Sequence, residues 1–192
     1  MRSLIRAVML MALAMVFGVV RGEGAALTAI PFADAKGTSE TLAQYHGKVL
    51  LVVNTASKCG YTKQYADLEK IYAQYKDRGL VVVAFPSNDF GGQEPGTNLQ
   101  IQEFCSSKFG VTFPVKGKMP VLGPQKSPLY AALTGAASPK PGEIKWNFEK
   151  FLIDRDGKIV DRWISKVTPS DPAITGAIEK ALGGEAPKAA TK

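Results

Sequence analysis

Val49-Leu50-Leu51-Val52-Val53-Asn54-Thr55-Ala56-Ser57-Lys58-Cys59-Gly60-Tyr61-Thr62 passes from an unbroken apolar run into small and polar residues, a single cysteine and the start of a helical pattern. Such a run reads as a strand buried on both faces. Beyond it, Tyr65, Leu68, Ile71, Tyr72 and Tyr75 recur at helical spacing and define one face of a helix over Thr62 to Lys76. Gly79 stops that pattern, and Leu80 to Phe85 is a second fully apolar strand. A strand, helix and strand of this length imply a parallel pair with a right-handed crossover. Cys59 then lies between the mouth of the first strand and the foot of the helix. Backbone N–H groups at a helix N-terminus favour negative charge, and there they favour a thiolate. The same position equally suits a small apolar residue that only fills space.

Outward from this unit, Leu27 to Lys36 with its Lys36-Gly37 turn reads as a short strand or hairpin, and Thr41 to Tyr45 as one helical turn. Pro86 to Thr97 is a loop rich in Gly, Pro and Asn. Thr97 or Asn98 caps a helix running to about Phe109, with Ile101, Phe104 and Cys105 on one face. Phe113 to Gly123 is irregular, Ser127-Pro128 opens a short helix through Leu133, and Thr134 to Glu143 is a loop. Asn147 to Ile153 and Lys158 to Ile164 flank Asp154-Arg155-Asp156-Gly157 as a hairpin. Ser170 or Asp171 caps a last helix ending at Leu182. This order predicts an α/β domain of thioredoxin-like fold, a central mixed β-sheet flanked by helices on both faces. The fold hosts many functions, so it does not settle this one.

The ends of the chain bear on the compartment. Arg2 and Arg6 precede the apolar run Ala7 to Val20, and Gly22, Gly24, Ala25 and Ala26 follow. That is the order of a secretory signal peptide, and the run is short for a transmembrane span. The expected organisation is a cleaved signal peptide over 1–26, one domain over 27–183 and a disordered Ala/Pro/Lys tail over 184–192. Export to the periplasm or the extracellular space follows. The 192 residues carry a net charge of +7. Removing 1–26 deletes Arg2, Arg6, Arg21 and Glu23 and leaves 21 basic against 16 acidic residues, or +5. No basic run or aromatic-interleaved arginine stripe is present, which argues against nucleic acid as a partner. His46, before Gly47-Lys48, reads as a solvated loop residue. With two distant cysteines, Cys59 and Cys105, it gives no metal-ligand spacing. In an exported protein those two cysteines ordinarily mean one structural disulfide.

Three polar segments could serve a reactive Cys59. Phe90-Gly91-Gly92-Gln93-Glu94-Pro95-Gly96 follows the second core strand, and Trp146-Asn147-Phe148 enters the third; both belong at the Cys59 end of the sheet. Gln93 and Asn147 offer amide donors and Trp146 an indole N–H. Aimed at sulfur, such donors stabilise a thiolate and polarise the leaving oxygen of a peroxide. Taken singly, each is also an ordinary loop amide or edge aromatic. In the third segment, Lys58 is either a charge beside Cys59 or a solvated side chain.

Together these residues resemble the glutathione peroxidase family, of the cysteine-containing, short-loop bacterial kind. The resemblance covers roughly Ile30 to Leu182. It rests on Val52-Val53-Asn54-Thr55-Ala56-Ser57-Lys58-Cys59-Gly60, on Leu80 to Gln93 with Glu94-Pro95-Gly96, and on Trp146-Asn147-Phe148-Glu149-Lys150-Phe151-Leu152. It implies a peroxidatic cysteine at Cys59, with Gln93, Trp146 and Asn147 as the other members of the family's catalytic tetrad. It implies reduction of hydrogen peroxide and organic or lipid hydroperoxides through a Cys59 sulfenic acid, with no metal or organic cofactor. Plant-type members carry a further cysteine where this chain has Ser87. Their resolving cysteine aligns one residue beyond Cys105, a rotation of about 100° on a helix. Cys105 is thus the candidate resolving residue, against the alternative of a buried thiol on the apolar helix face. Family members that form tetramers and bind glutathione carry a longer insertion between the positions of Tyr130 and Trp146, so the resemblance implies a monomer here, with a thioredoxin-like dithiol rather than glutathione as the preferred reductant. Two other functions stay open at this point. One is an oxidant receptor that passes its disulfide to a partner protein. The other is a non-catalytic domain with a static disulfide.

Overall fold

The computed structural model describes residues 27–183. The expected signal peptide over 1–26 and tail over 184–192 lie outside the described residues. A hairpin of β1 (Pro31–Ala33) and β2 (Ser39–Thr41) turns at Lys36-Gly37, and a 3-10 turn over Leu42–Tyr45 leads into β3 (Val49–Thr55). Helix α1 (Gln64–Tyr75) crosses over to β4 (Leu80–Pro86). Then come α2 (Asn98–Phe109), α3 (Pro128–Thr134), the hairpin β5 (Lys150–Ile153) and β6 (Ile159–Trp163), and α4 (Pro172–Leu182). The central sheet has the order β4-β3-β5-β6. β3 runs parallel to β4 and antiparallel to β5, so the sheet is mixed and thioredoxin-like as expected.

All seven residues of β3 are buried because the strand is central and covered on both faces. Alternation of side chains along it builds two cores. Val49, Leu51 and Val53 pack with α1, α2 and α4 through Leu68, Ile71, Ile101 and Ile174. Leu50 and Val52 pack with α3, the first hairpin and the 3-10 turn through Leu129, Leu133, Phe32 and Leu42. The α2 start follows from a capping box, in which Thr97 Oγ1 accepts from Gln100 N–H while the Gln100 side chain accepts from Thr97 N–H. Asp171 caps α4 through the Ala173 N–H.

Two boundaries beside the Cys59 end of the sheet depart from expectation by more than one residue. Helix α1 begins at Gln64, not Thr62, because Cys59 to Lys63 form successive tight turns, with Thr62 N–H on Cys59 O and Gln64 N–H on Tyr61 O. Cys59 therefore lies five residues ahead of the helix, in the turn that joins it to β3. β5 begins at Lys150, not Asn147, because Phe148 has φ 65°, a left-handed backbone that no strand continues through.

Lys150 is wholly buried, its ammonium donating to Val167 O at 2.6 Å and, more weakly, to Ser165 O at 3.4 Å. Burial pushes its pKa down from 10.5 to about 7, against the attraction of Glu149 and Asp67. Between about pH 7 and 10.5 the unfolded chain therefore binds more protons than the folded one. Stability from this group rises with pH through that window and is lowest below it. Lys150→Met is expected to flatten the rise. Urea unfolding of both proteins across that range measures it, and parallel pH profiles would contradict the assignment.

Candidate active site

Cys59 sits at the sheet end where β3 stops, with only 9 % of its surface exposed. Its turn is held by Thr62, whose hydroxyl accepts from Cys59 N–H at 2.9 Å and donates to Ala56 O at 2.8 Å. Tyr61 N–H donates to Cys59 Sγ at 3.4 Å, one backbone donor aimed at the sulfur. Lys58 is exposed, and so is His46, as a loop residue.

Gln93 reaches the same sheet end on the loop after β4. Gly91 and Gly92 precede it with φ 62° and 63°, two consecutive left-handed residues that a side chain would strain. Lys58 N–H donates to Gln93 O at 3.0 Å and Ser57 Oγ to Glu94 Oε2 at 3.1 Å, so the loop is bonded directly to the Cys59 turn. Glu94 is 1 % exposed, and burial pushes its carboxyl up from the ordinary value although Ser57, Lys118 and Lys58 oppose the shift.

Trp146 and Asn147 arrive from the other side of β3, just ahead of β5. Asn54 holds them: its Nδ2 donates to Trp146 O at 3.0 Å, its Oδ1 accepts from Glu149 N–H at 3.0 Å, and its carbonyl accepts from Phe148 N–H at 2.6 Å. Asn147 is fully buried, and its Nδ2 donates to Gln93 Oε1 at 3.0 Å. That bond joins side chains 54 residues apart in sequence. It commits the Gln93 oxygen and leaves the Gln93 Nε2 donors free of protein partners among the described residues. The Trp146 indole N–H is likewise uncommitted, and its ring leans on Phe90 at 5.5 Å between centroids, 39 % exposed. The pairing of Gln93 with Asn147, and the tether of Gln93 to the Cys59 turn, are therefore physical.

Beneath this layer a buried ion pair fixes the segment that carries Trp146. Arg162 Nε and Nη2 donate to Glu149 Oε2 at 3.0 and 2.7 Å. The other guanidinium donors go to Lys140 O, Gly142 O and Glu143 O, and Glu149 Oε1 accepts from Lys145 N–H. Reading the sequence for chemistry passed over Asn54, Thr62 and Arg162. Asn54 carried a signal: an amide inside an apolar strand must find partners when buried.

Cys105 is on the inner face of α2 with 1 % exposure, in the same apolar core as Cys59, and both are free thiols. Burial pushes its pKa up to about 11; the Tyr65 hydroxyl opposes the shift and Glu94 adds to it. The static disulfide is absent from this arrangement.

Residues 27–134 match the glutathione peroxidase family. The chain belongs to that family. It is 48 % identical over 152 residues to a probable phospholipid hydroperoxide glutathione peroxidase of Mesembryanthemum crystallinum, spanning 78 % of this chain and 88 % of the relative. It is 48 % identical over 153 residues to a hydroperoxy fatty acid reductase of Synechocystis, spanning 76 % and 89 %. Among solved structures, the crystal structure of Trgpx in its apo form is 40 % identical, covers 84 % of this chain and 98 % of its own, and superposes with a TM-score of 0.65. This glutathione peroxidase family member is an oxidoreductase, a thiol peroxidase that reduces hydroperoxides.

Proposed function

We propose that Cys59 is the peroxidatic nucleophile and that Gln93, Trp146 and Asn147 form its hydrogen-bonding frame. The observation that carries this reading is the bonded frame itself. The Cys59 turn, the Gln93 loop and the Trp146-Asn147 segment are tied together, and two uncommitted donors remain, Gln93 Nε2 and Trp146 Nε1. The Cys59 thiolate attacks the terminal oxygen of the hydroperoxide. The new S–O bond forms as the O–O bond breaks, and the departing oxygen takes up a proton to leave as water or alcohol. Donors placed at the departing oxygen act where charge develops. Hydrogen peroxide and organic or lipid hydroperoxides are the substrates; the half-exposed Trp146 beside Phe90 offers apolar surface to an alkyl chain.

Cys105 then attacks the Cys59 sulfenic acid, and a thioredoxin-like dithiol reduces the disulfide, with glutathione the competing reductant. Helix α2 buries only Ile101 and Cys105 of its twelve residues, so its local unwinding costs little and can bring Cys105 to Cys59. The protein acts as an exported monomer, in keeping with the apolar run near its start and the short stretch before Trp146.

Gln93→Ala, Trp146→Phe and Asn147→Ala are each expected to slow oxidation of Cys59, on the order of 10²-fold where no neighbour or water compensates. Stopped-flow oxidation rates that stay at wild type in all three folded variants would remove the frame. Cys105→Ser is expected to reduce one equivalent of peroxide and then stall with thioredoxin as reductant, over-oxidising in excess peroxide. Its melting point should drop only modestly, since burying a hydroxyl there costs roughly 1–2 kcal/mol. Full thioredoxin-coupled turnover by this variant would leave a one-cysteine cycle.

A further inference from the structure

The segment that brings Trp146 and Asn147 to the Gln93 loop has to cross the end of β3. β5, which it enters, lies on one side of β3, and β4, which leads to Phe90 and Gln93, lies on the other. The crossing is made all the same. Trp146 leans on Phe90 at 5.5 Å between ring centroids, and Asn147 Nδ2 donates to Gln93 Oε1 at 3.0 Å. The β3 residue that the crossing segment bonds is Asn54, which is 0 % exposed.

The β3–β5 ladder is regular as far as Val53, opposite Lys150. One step further in register, Asn54 and Glu149 would exchange both backbone bonds. Only one of them forms, from Asn54 N–H to Glu149 O at 3.4 Å. The Asn54 carbonyl takes the Phe148 N–H instead, at 2.6 Å, and the displaced Glu149 N–H goes to the side chain, on Oδ1 at 3.0 Å. Two consecutive N–H groups thus end on one residue, as in a bulge, and the slip accompanies the φ of 65° at Phe148. The other end of the same amide, Nδ2, donates to Trp146 O at 3.0 Å. A carboxamide offers the acceptor that one group needs and the donor that the other needs. An apolar residue, which the rest of the strand carries, would leave both without that partner.

We propose that Asn54 is a positioning residue for the reaction with hydroperoxide: the slip that its amide holds in the ladder sets the aim of Trp146 Nε1 and, through Asn147, of Gln93 Nε2. This rests on the reading of those two groups as the donors that serve Cys59. Asn54 touches no reacting atom and acts only through the crossing. Aim matters because a displacement of about 1 Å at a reacting centre is enough to cost on the order of 10²-fold in rate. The bond from Phe148 N–H to the Asn54 carbonyl does not depend on the side chain. Loss of the amide therefore loosens the segment at Trp146 and Glu149 without detaching it.

Asn54→Thr is the discriminating variant. Threonine suits a strand, and its single hydroxyl, on a shorter arm than the amide, cannot serve both Glu149 N–H and Trp146 O. Oxidation of Cys59 by hydrogen peroxide is followed by stopped flow, with unchanged far-UV circular dichroism as the mark of a folded sample. The proteins compared are wild type, Asn54→Thr, the pair Trp146→Phe with Asn147→Ala, and that pair with Asn54→Thr added. In the otherwise wild-type protein Asn54→Thr should slow oxidation at least about tenfold. Added to the pair it should slow the reaction by no more than about twofold, because the route from Asn54 to both donors is already cut. A residue that only stabilises the fold would slow both backgrounds by the same factor. That result, or a wild-type rate in Asn54→Thr, would overturn the proposal. Where Asn54→Thr does not fold, Asn54→Ser takes its place in the same comparison, with the same outcomes. A wild-type rate in the Trp146→Phe, Asn147→Ala pair would instead overturn the reading of the donors, and the positioning role with it.

Discussion

Cys59→Ser is expected to abolish peroxide reduction while leaving the fold intact. A serine hydroxyl is barely ionised at neutral pH and lacks the reactivity of sulfur toward an O–O bond. The substitution disturbs little else. Thr62 Oγ1 accepts from the backbone N–H of residue 59 whatever its side chain, and Thr62 also closes the turn onto Ala56 O. A hydroxyl at this position still meets the Tyr61 N–H that now donates to sulfur. The melting curve should therefore stay near wild type while turnover with hydrogen peroxide or an organic hydroperoxide is lost. Residual turnover above a few per cent of wild type would mean that Cys59 is not the nucleophile.

Arg162→Ala is expected to cost about 3–5 kcal/mol, the range for removing one partner of a buried ion pair. For a domain of this size that corresponds to a drop in Tm of roughly 10 °C or more. The loss has two parts. Glu149, with no exposed surface, loses both guanidinium donors at Oε2. Lys140, Gly142 and Glu143 lose the donors that bind their carbonyls. Those three residues form the approach to Trp146, so the variant should also oxidise Cys59 more slowly at temperatures where it is folded. Replacing both partners, as Arg162→Met with Glu149→Leu, should recover stability, because no buried charge is then left alone. The oxidation rate should stay low in that double variant, since the backbone carbonyls remain unpinned. Equal stability of Arg162→Ala and wild type by urea unfolding would show that the pair contributes nothing.

The asymmetry between Cys59 and Cys105 belongs to their surroundings. Both are cysteines in one apolar core. Cys59 lies in a turn with a backbone N–H on its sulfur, at the edge of solvent. Cys105 lies inside, where burial keeps it a thiol and protects it from direct attack by peroxide.

How far the chain could be read without its structure depended on the range of the interactions. β3 and β4 were legible because a doubly buried strand demands unbroken apolar residues, and the boundaries moved by one residue at most. The α2 start was legible because Thr97 and Gln100 cap it locally, and the hairpin because Asp156-Gly157 sets its turn. The α1 start was not: Thr62 turns back to bond Cys59 N–H and Ala56 O, a local competition that helical periodicity does not register. Nor was the start of β5, where Asn54 captures the backbone on both sides of Phe148 and holds its φ at 65°.

By itself, the order of residues determined the strand, helix and strand unit, the thioredoxin-like sheet and the position of Cys59 at its end, because periodicity and caps act over a few residues. Only the tertiary structure decided that Gln93 bonds Asn147, that Asn54 and Arg162 hold the Trp146 segment, and that Cys105 is sealed inside the core. Those contacts join residues tens of positions apart. Their energies come from desolvation and geometry, which exist only once the sheet has brought the loops to one end.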